Sequence, residues 1–427
     1  MMTTSFIEID KILKERINNP IYNTSYPLDP KDWYPFLKEG NLPMDAEKPI
    51  AFYFHIPFCR QLCSFCEYTR VRIPDESIQN KYIRTLHNDV NHFLKSYGTP
   101  MLYGLDIGGG TPTAFCLNVF AELLTLFSDI KNASSRTDDF EPSIEATFET
   151  IDKDKISLIS QNGIDRISLG IQSSSSSLMQ SFKRASTSLN KMHETIELIH
   201  SYGITKVNLD MMYGLPGQTL KDIKLDIETI KRLDPEQVTV YELRTNQITI
   251  GHSHSAEERF QQYLTLYQML TDIGYKASFG QNTFSKNDKD KGLSSYLRHR
   301  MYDGWQYKGF GISAQSMSKR GVAYNVGKNS PLLDSMSREL ESFEADRFYE
   351  LPKQEILAKF IAISGYSGGF SLNSAIDIYG KSFTTDFQPV VSYLLSKDYI
   401  TLSDSRINFT RLGMKNYGPI LSLFFPR

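Results

Sequence analysis

From about residue 50 to residue 285, short apolar runs alternate with amphipathic stretches of roughly ten to fifteen residues. The runs are Ala51–Phe54, Gly104–Ile107, Ser143–Phe148, Arg166–Ile171, Lys206–Met211 and Gln237–Glu242. Between them, apolar residues recur at helical spacing in Asn80–Lys95, Val119–Ile130, Asp154–Gln161, Leu189–Tyr202 and Thr219–Leu233. Such alternation predicts βαβ units with right-handed crossovers, and hence an α/β fold around a parallel sheet. Six units predict a partial (β/α)6 barrel rather than a closed one of eight, with its chemistry at the C-terminal strand ends.

The flanks follow other patterns. Residues 1–48 form a lead-in, with helical spacing in Ile7-Glu-Ile-Asp-Lys-Ile-Leu13 and then a proline-punctuated stretch. After the core at 49–285 and a segment at 286–330, residues 331–427 predict helices at Glu355–Ser364, Leu372–Tyr379 and Phe387–Leu395. A hairpin over Tyr399–Thr410 follows, which together suggests a smaller helical, winged-helix-like module. It lacks an arginine-rich recognition helix, so a substrate lid or packing module is the better reading. The run Ser173–Ser177 reads as a short solvated loop.

Composition changes this picture little. With 427 residues, 40% apolar, 22% charged and a net charge of −2, the chain is a soluble globular protein. Nothing in its bulk charge favours nucleic acid. No stretch has the uninterrupted apolar length of a membrane span, and Met1–Glu8 lacks the features of a signal peptide. A cytoplasmic location and reduced cysteines are expected.

The chemistry concentrates in Cys59-Arg-Gln-Leu-Cys63-Ser-Phe-Cys66. Four cysteines in the whole chain, the fourth being Cys116, exclude a disulfide framework. The C-x3-C-x2-C spacing offers three soft thiolates to a [4Fe–4S] cluster, whose four irons each take one ligand. One iron is then ligated from elsewhere or left open to something that is not protein. The alternative is a structural zinc site completed by His55, four residues before Cys59. The preceding residues, Phe52–Pro57, read as a strand running into a loop, which delivers ligands from a strand end.

A second motif, Gly108-Gly-Gly-Thr-Pro-Thr113, ends the next strand. Its glycines let the backbone approach a ligand closely, and Pro112 fixes the exit. Alone it reads as a tight turn; it is not a phosphate loop, because G-x4-G-K-[ST] is absent. About forty residues after the cysteine loop, it says more.

Together, Tyr53-Phe-His-Ile-Pro-Phe-Cys59, the cysteine spacing and Gly108-Gly-Gly-Thr-Pro112 resemble the radical S-adenosylmethionine (SAM) enzymes, specifically the oxygen-independent coproporphyrinogen III dehydrogenase group. The resemblance continues through Ile144-Glu-Ala146, Arg166–Gln172, Asn208–Gln218 and Gly309-Phe-Gly-Ile-Ser-Ala314, covering roughly residues 50 to 330. It implies a TIM-like radical SAM barrel in which Cys59, Cys63 and Cys66 bind three irons and the amino and carboxylate groups of SAM chelate the fourth. It also places Tyr53 near the cluster, and Gly109, Gly110 and Thr111 along the methionyl amino group. Glu145, Gln172, Arg184 and Asp210 match positions holding the methionyl and ribose polar groups. The implied chemistry is one-electron cleavage of SAM, fed by a flavodoxin- or ferredoxin-like donor, to a 5′-deoxyadenosyl radical that attacks a small-molecule substrate.

Departures bear on that substrate. The dehydrogenase group has a fourth cysteine two residues after the third, where this chain has Tyr68. The heme-chaperone branch carries an H-N-x-x-Y-W motif, where this chain reads Tyr296-Leu-Arg-His-Arg-Met-Tyr-Asp-Gly-Trp305. The class C radical SAM methyltransferases hold a second SAM at positions matching Thr113, Phe310, Gly311 and Ile312. The resemblance therefore points first to class C-type methyl transfer with two SAM molecules on a small cyclic or aromatic substrate. Oxidative decarboxylation of coproporphyrinogen III and heme carriage are the alternatives. Arg298, His299 and Arg300 suggest either an anion-binding lining or a solvated basic face.

Overall fold

The computed structural model describes residues 5–18, 26–243, 254–327 and 340–426. Residues 1–4 of the lead-in and the expected boundary at 330/331 lie outside them. Six barrel strands run in chain order: β1 (Ile50–Ile56), β2 (Met101–Gly109), β3 (Ser135–Ala146), β4 (Arg166–Gln172), β5 (Lys206–Tyr213) and β6 (Gln237–Glu242). Each pairs in parallel with the next. The crossover helices are α1 (Glu76–Tyr97), α2 (Leu117–Asn132), α3 (Lys153–Gln161), α4 (Leu189–Ser201) and α5 (Leu220–Leu233). Their starts are set locally: Asp75, Asp152 and Ser188 cap α1, α3 and α4 through backbone N–H groups, and Thr219 with Asp222 forms a capping box on α5.

The barrel does not close. Strand β6 pairs antiparallel with Thr283–Ser285, while β7 (Tyr307–Phe310) joins β1 in parallel on the other side. Beyond β7 the sheet continues antiparallel through Gln315–Ser318, Gly321–Tyr324, Arg347–Glu350 and Leu37–Glu39, giving 12 strands among the described residues. The lead-in, the core, the 286–330 segment and the start of the C-terminal part thus share one sheet.

Most positions along these strands are buried on both faces, and a period of two shows instead in polarity. Phe52, Phe54, Leu105, Ile107, Ile144, Ile167, Leu169, Val207, Leu209, Val238 and Val240 belong to the main hydrophobic core. The alternate positions are polar and bonded across strands. Arg166 donates to Gln237 Oε1 at 2.7 Å and to Ser143 Oγ at 3.0 Å, and Asn208 donates to Ser168 Oγ at 2.8 Å. Strands buried on both faces usually run apolar throughout, and barrel interiors are usually filled by branched side chains. This interior is a hydrogen-bonded polar layer, which the apolar runs alone did not predict.

Two sequence expectations change. The hairpin Ile400–Ser403/Arg406–Phe409 is present, but Gly369–Ser371 adds a third strand to it. The serine run is a solvated loop only in part: Ser173 and Ser175 are buried, while the exposed Ser176 and Ser177 open the short helix Ser176–Ser181. Ser173 Oγ and the Ser174 N–H donate to Asp226 of α5 at 3.1 and 2.5 Å. Short hydroxyl side chains at a strand end suit a buried carboxylate. Among the described residues, no helix is long and apolar enough to cross a membrane.

Candidate functional site

The cysteine loop leaves the C-terminal end of β1. Pro57 O accepts from Val71 N at 2.8 Å and Cys59 O from Ile73 N at 2.9 Å, so the loop is clamped at its base. Inside it, Cys66 N donates to Cys63 O at 3.2 Å, and Ser64 N donates to Phe182 O at 3.0 Å. Arg70 donates to Cys63 O at 2.5 Å. All the cysteines are free thiols, with Cys59 and Cys63 buried and Cys66 partly so. Burial pushes the Cys59 thiol up to about 11 and also raises Cys66. Buried neutral thiols become thiolates when a metal takes the proton's place.

The glycine loop packs directly on this loop. Gly110 N donates to Ile56 O at 2.7 Å and Thr111 N to Phe58 O at 2.8 Å, and the Thr111 hydroxyl lies 3.7 Å from Cys59 Sγ. A Cβ on Gly110 would lie 2.9 Å from Cys59 Sγ and 2.8 Å from Phe58 O. At Gly109, whose φ is +111°, a Cβ would lie 2.5 Å from the His55 ring. These contacts leave no room for a side chain beside the thiols.

The remaining SAM candidates converge on the same rim. The Glu145 carboxylate accepts from Gly109 N at 3.0 Å, and Asp210 accepts from Ser168 at 2.7 Å and Asn208 at 2.9 Å. Gln172 ends β4 with φ +71°, a left-handed backbone that non-glycine residues adopt rarely and often at functional sites. Arg184 donates to Gly170 O, reaches within 3.5 Å of Cys63 Sγ, and makes no ion pair among the described residues. Burial, opposed by the Gly109 N–H, pushes the Glu145 carboxyl up to about 7, and burial also raises Asp210. Desolvated carboxylates beside a cysteine loop suit a cationic ligand, which would restore their charge. The residues therefore fit a thiolate-bound cluster with SAM beside it.

Zinc fits less well. His55 Nε2 pairs with Thr69 O at 2.9 Å, and among the described residues no three His, Cys, Asp or Glu groups converge on a single ion. In a cubane each cysteine takes a different iron, so such convergence is not required.

The second-SAM candidates are placed differently. The Thr113 side chain is fully buried against Thr150 at 2.6 Å, and its carbonyl accepts from the buried Lys155 ammonium at 2.6 Å. Phe310 is buried and stacks on Phe54, with ring centroids 5.2 Å apart. Ile312 is equally buried. A Cβ on Gly311 would lie 2.5 Å from both His55 O and Tyr82 Oη. Gly309-Phe-Gly-Ile thus forms a tight turn against β1, and these side chains belong to the core rather than to the open rim.

Beside the rim lies a cavity of about 720 Å³, lined by Tyr53 from the middle of β1, by Gly109, Glu145 and Tyr241 from near the ends of β2, β3 and β6, and by Tyr68 from the cysteine loop. Tyr296 and Arg300 come from the helix Ser295–Tyr302, while Trp33 and Lys359 bring in the lead-in and the C-terminal module. Tyr53 stacks on Tyr296 at 5.6 Å. The strand pattern offered a signal for several site residues that reading by apolar runs missed. Asp106, Arg166, Ser168 and Asn208 are the polar members of alternating β2, β4 and β5.

Asp106 and Glu145 give a pH prediction for the metal-free, SAM-free protein. Burial raises Asp106 to about 8 and Glu145 to about 7. The native state therefore holds protons that the unfolded chain releases above about pH 4–5, and stability falls as pH rises towards 8. A native carboxyl still protonated one pH unit above its unfolded midpoint loses roughly 1.4 kcal/mol of stability over that unit. Unfolding free energies from urea titrations at pH 6 and 8.5 should therefore differ by a few kcal/mol, in favour of pH 6. Greater stability at pH 8.5 would contradict this assignment.

The radical SAM superfamily matches residues 53–230 of the chain. The chain is 25% identical to heme chaperone HemW of Bacillus subtilis, covering 84% of this chain and 95% of that protein. It is 27% identical to the oxygen-independent coproporphyrinogen III oxidase of Synechocystis sp., covering 84% and 81%. The solved coproporphyrinogen III oxidase from Escherichia coli superposes with a TM-score of 0.70 at 20% identity, over 88% of this chain and 91% of that one. That superposition shows the partial-barrel fold.

Proposed function

The chain belongs to the radical SAM superfamily, within its coproporphyrinogen III oxidase-like group, and from that premise we propose that it is a radical SAM enzyme acting on a tetrapyrrole-sized substrate. Superfamily members use a [4Fe–4S] cluster and SAM. When bound, that pair supplies one-electron cleavage of SAM and a hydrogen-abstracting radical. The observation carrying the proposal is the continuity of the 720 Å³ cavity with Tyr53, Gly109 and Glu145, which supports a substrate space next to the residues read as holding SAM.

In this reading Cys59, Cys63 and Cys66 hold three irons. Gly109, Gly110 and Thr111 give close backbone approach to the methionyl end. Glu145 accepts from the ammonium, Arg184 donates to the carboxylate, and Asp210 accepts from ribose hydroxyls. Gln172 lines the same rim, and the Tyr53–Tyr296 stack keeps water from the reacting face. An external donor of flavodoxin or ferredoxin type supplies the electron.

Methyl transfer with two SAM molecules has less support. Its candidate side chains at Thr113, Phe310 and Ile312 are committed to the core, and the relatives named above are a chaperone and oxidases. Heme carriage is a second reading, favoured by the likeness to HemW along 95% of that protein. Anaerobic reconstitution with SAM and dithionite separates these. We expect 5′-deoxyadenosine, with carbon dioxide when coproporphyrinogen III is added. S-Adenosylhomocysteine would instead indicate methyl transfer. Tight heme binding without any 5′-deoxyadenosine would overturn the enzyme reading.

A further inference from the structure

The cluster Arg298-His299-Arg300 does not act as one basic face. Arg298 and His299 both pair with Asp139, His299 Nδ1 pairs with Asp303 at 2.6 Å, and the imidazole stacks on Trp305 at 3.9 Å. Both side chains are partnered locally. Arg300 lies on another face of the same helix and lines the cavity. Its guanidinium lies over Tyr307 at 4.8 Å and Tyr296 at 5.8 Å, with hydrogen bonds to Tyr296 Oη at 3.0 Å and Gln315 Oε1 at 3.5 Å.

Among the described residues no carboxylate pairs with Arg300. A guanidinium has five donors and a planar fork matched to a carboxylate. Here neutral partners take only part of that capacity, and two aromatic rings fix its position.

We propose that Arg300, held by Tyr296 and Tyr307, is the carboxylate-recognition residue of this cavity, and that its ligand carries a free carboxylate. The proposal rests on the reading of the cavity as the substrate site and names the chemistry that site selects.

Protoporphyrin IX and its dimethyl ester test this. They share a flat ring and N–H donors but differ in free carboxylates, and neither has an iron to complicate binding. Each is titrated anaerobically into the reconstituted protein and followed by fluorescence. Loss of a charge-assisted contact predicts that the wild type prefers the acid by about tenfold or more. Arg300→Gln should weaken the acid to the level of the ester and leave the ester unchanged. Arg300→Lys should keep part of the preference, which a collapsed fold would not. Equal wild-type affinities, equal losses for both probes in Arg300→Gln, or no binding of either overturns the proposal. A wild type that yields no 5′-deoxyadenosine would sink the proposed function instead, and the acid-over-ester comparison would still be readable.

Discussion

Cys63→Ala is expected to abolish both the iron–sulfur absorbance and the formation of 5′-deoxyadenosine, while leaving the barrel folded. Cys63 is buried between two arginines that reach it from different elements: Arg70 binds its carbonyl at 2.5 Å, and Arg184 lies 3.5 Å from its Sγ. Losing an outer-shell partner of a metal ligand costs about 10–100-fold in metal affinity or activity. Losing one of only three cysteine ligands should therefore exceed about 100-fold in both readouts. The small hydrophobic cluster of Cys63 with Phe65, Leu178, Met179 and Phe182 loses little area on truncation to Ala, so the unfolding midpoint should move little. Full iron content in the purified variant would show that Cys63 is not a ligand. A variant that loses its cluster yet still cleaves SAM would sink the assignment of the reaction to that cluster.

The barrel was legible in part because three of its six strands end in a chemically marked turn. β1 ends at Pro57, β2 at Gly109-Gly110 and β5 at Gly214, and the apolar runs fall on the parallel strands, except that β3 begins at Ser135, well before its expected start at Ser143, and ends at Ala146 rather than Phe148. The cysteine and glycine loops were legible for the same reason, since their spacings constrain backbone rather than packing. Side-chain direction in short elements was not. Arg298, His299 and Arg300 are consecutive on an eight-residue helix, so they point about 100° apart. Only the packed structure separates two ion-paired residues from the one facing the cavity. Likewise, Gly309-Phe-Gly-Ile reads equally as a ligand loop or a strand turn. The contacts of Gly311 with His55 O and Tyr82 decide for the turn.

Gly110→Ala should come close to Cys63→Ala in effect although it removes no ligand. Gly110 does not adopt a left-handed backbone angle, so an alanine there is conformationally ordinary and the whole penalty is one of space. The added methyl would lie within 2.9 Å of Cys59 Sγ and of Ile56 O, and 2.8 Å from Phe58 O. Two of these three atoms are backbone pinned by the bonds from Gly110 N and Thr111 N, so the strain passes to the sulfur and its loop. Overpacking of this kind costs roughly 1–3 kcal/mol, and here it displaces a cluster ligand. Iron and sulfide per chain should fall several-fold, with a modest drop in the unfolding midpoint. Thr111→Val, which removes the 3.7 Å hydroxyl contact to Cys59 without adding bulk, should cost far less. If Gly110→Ala retained a full cluster and Thr111→Val lost it, the hydroxyl rather than the close packing of the two loops would be what seats Cys59.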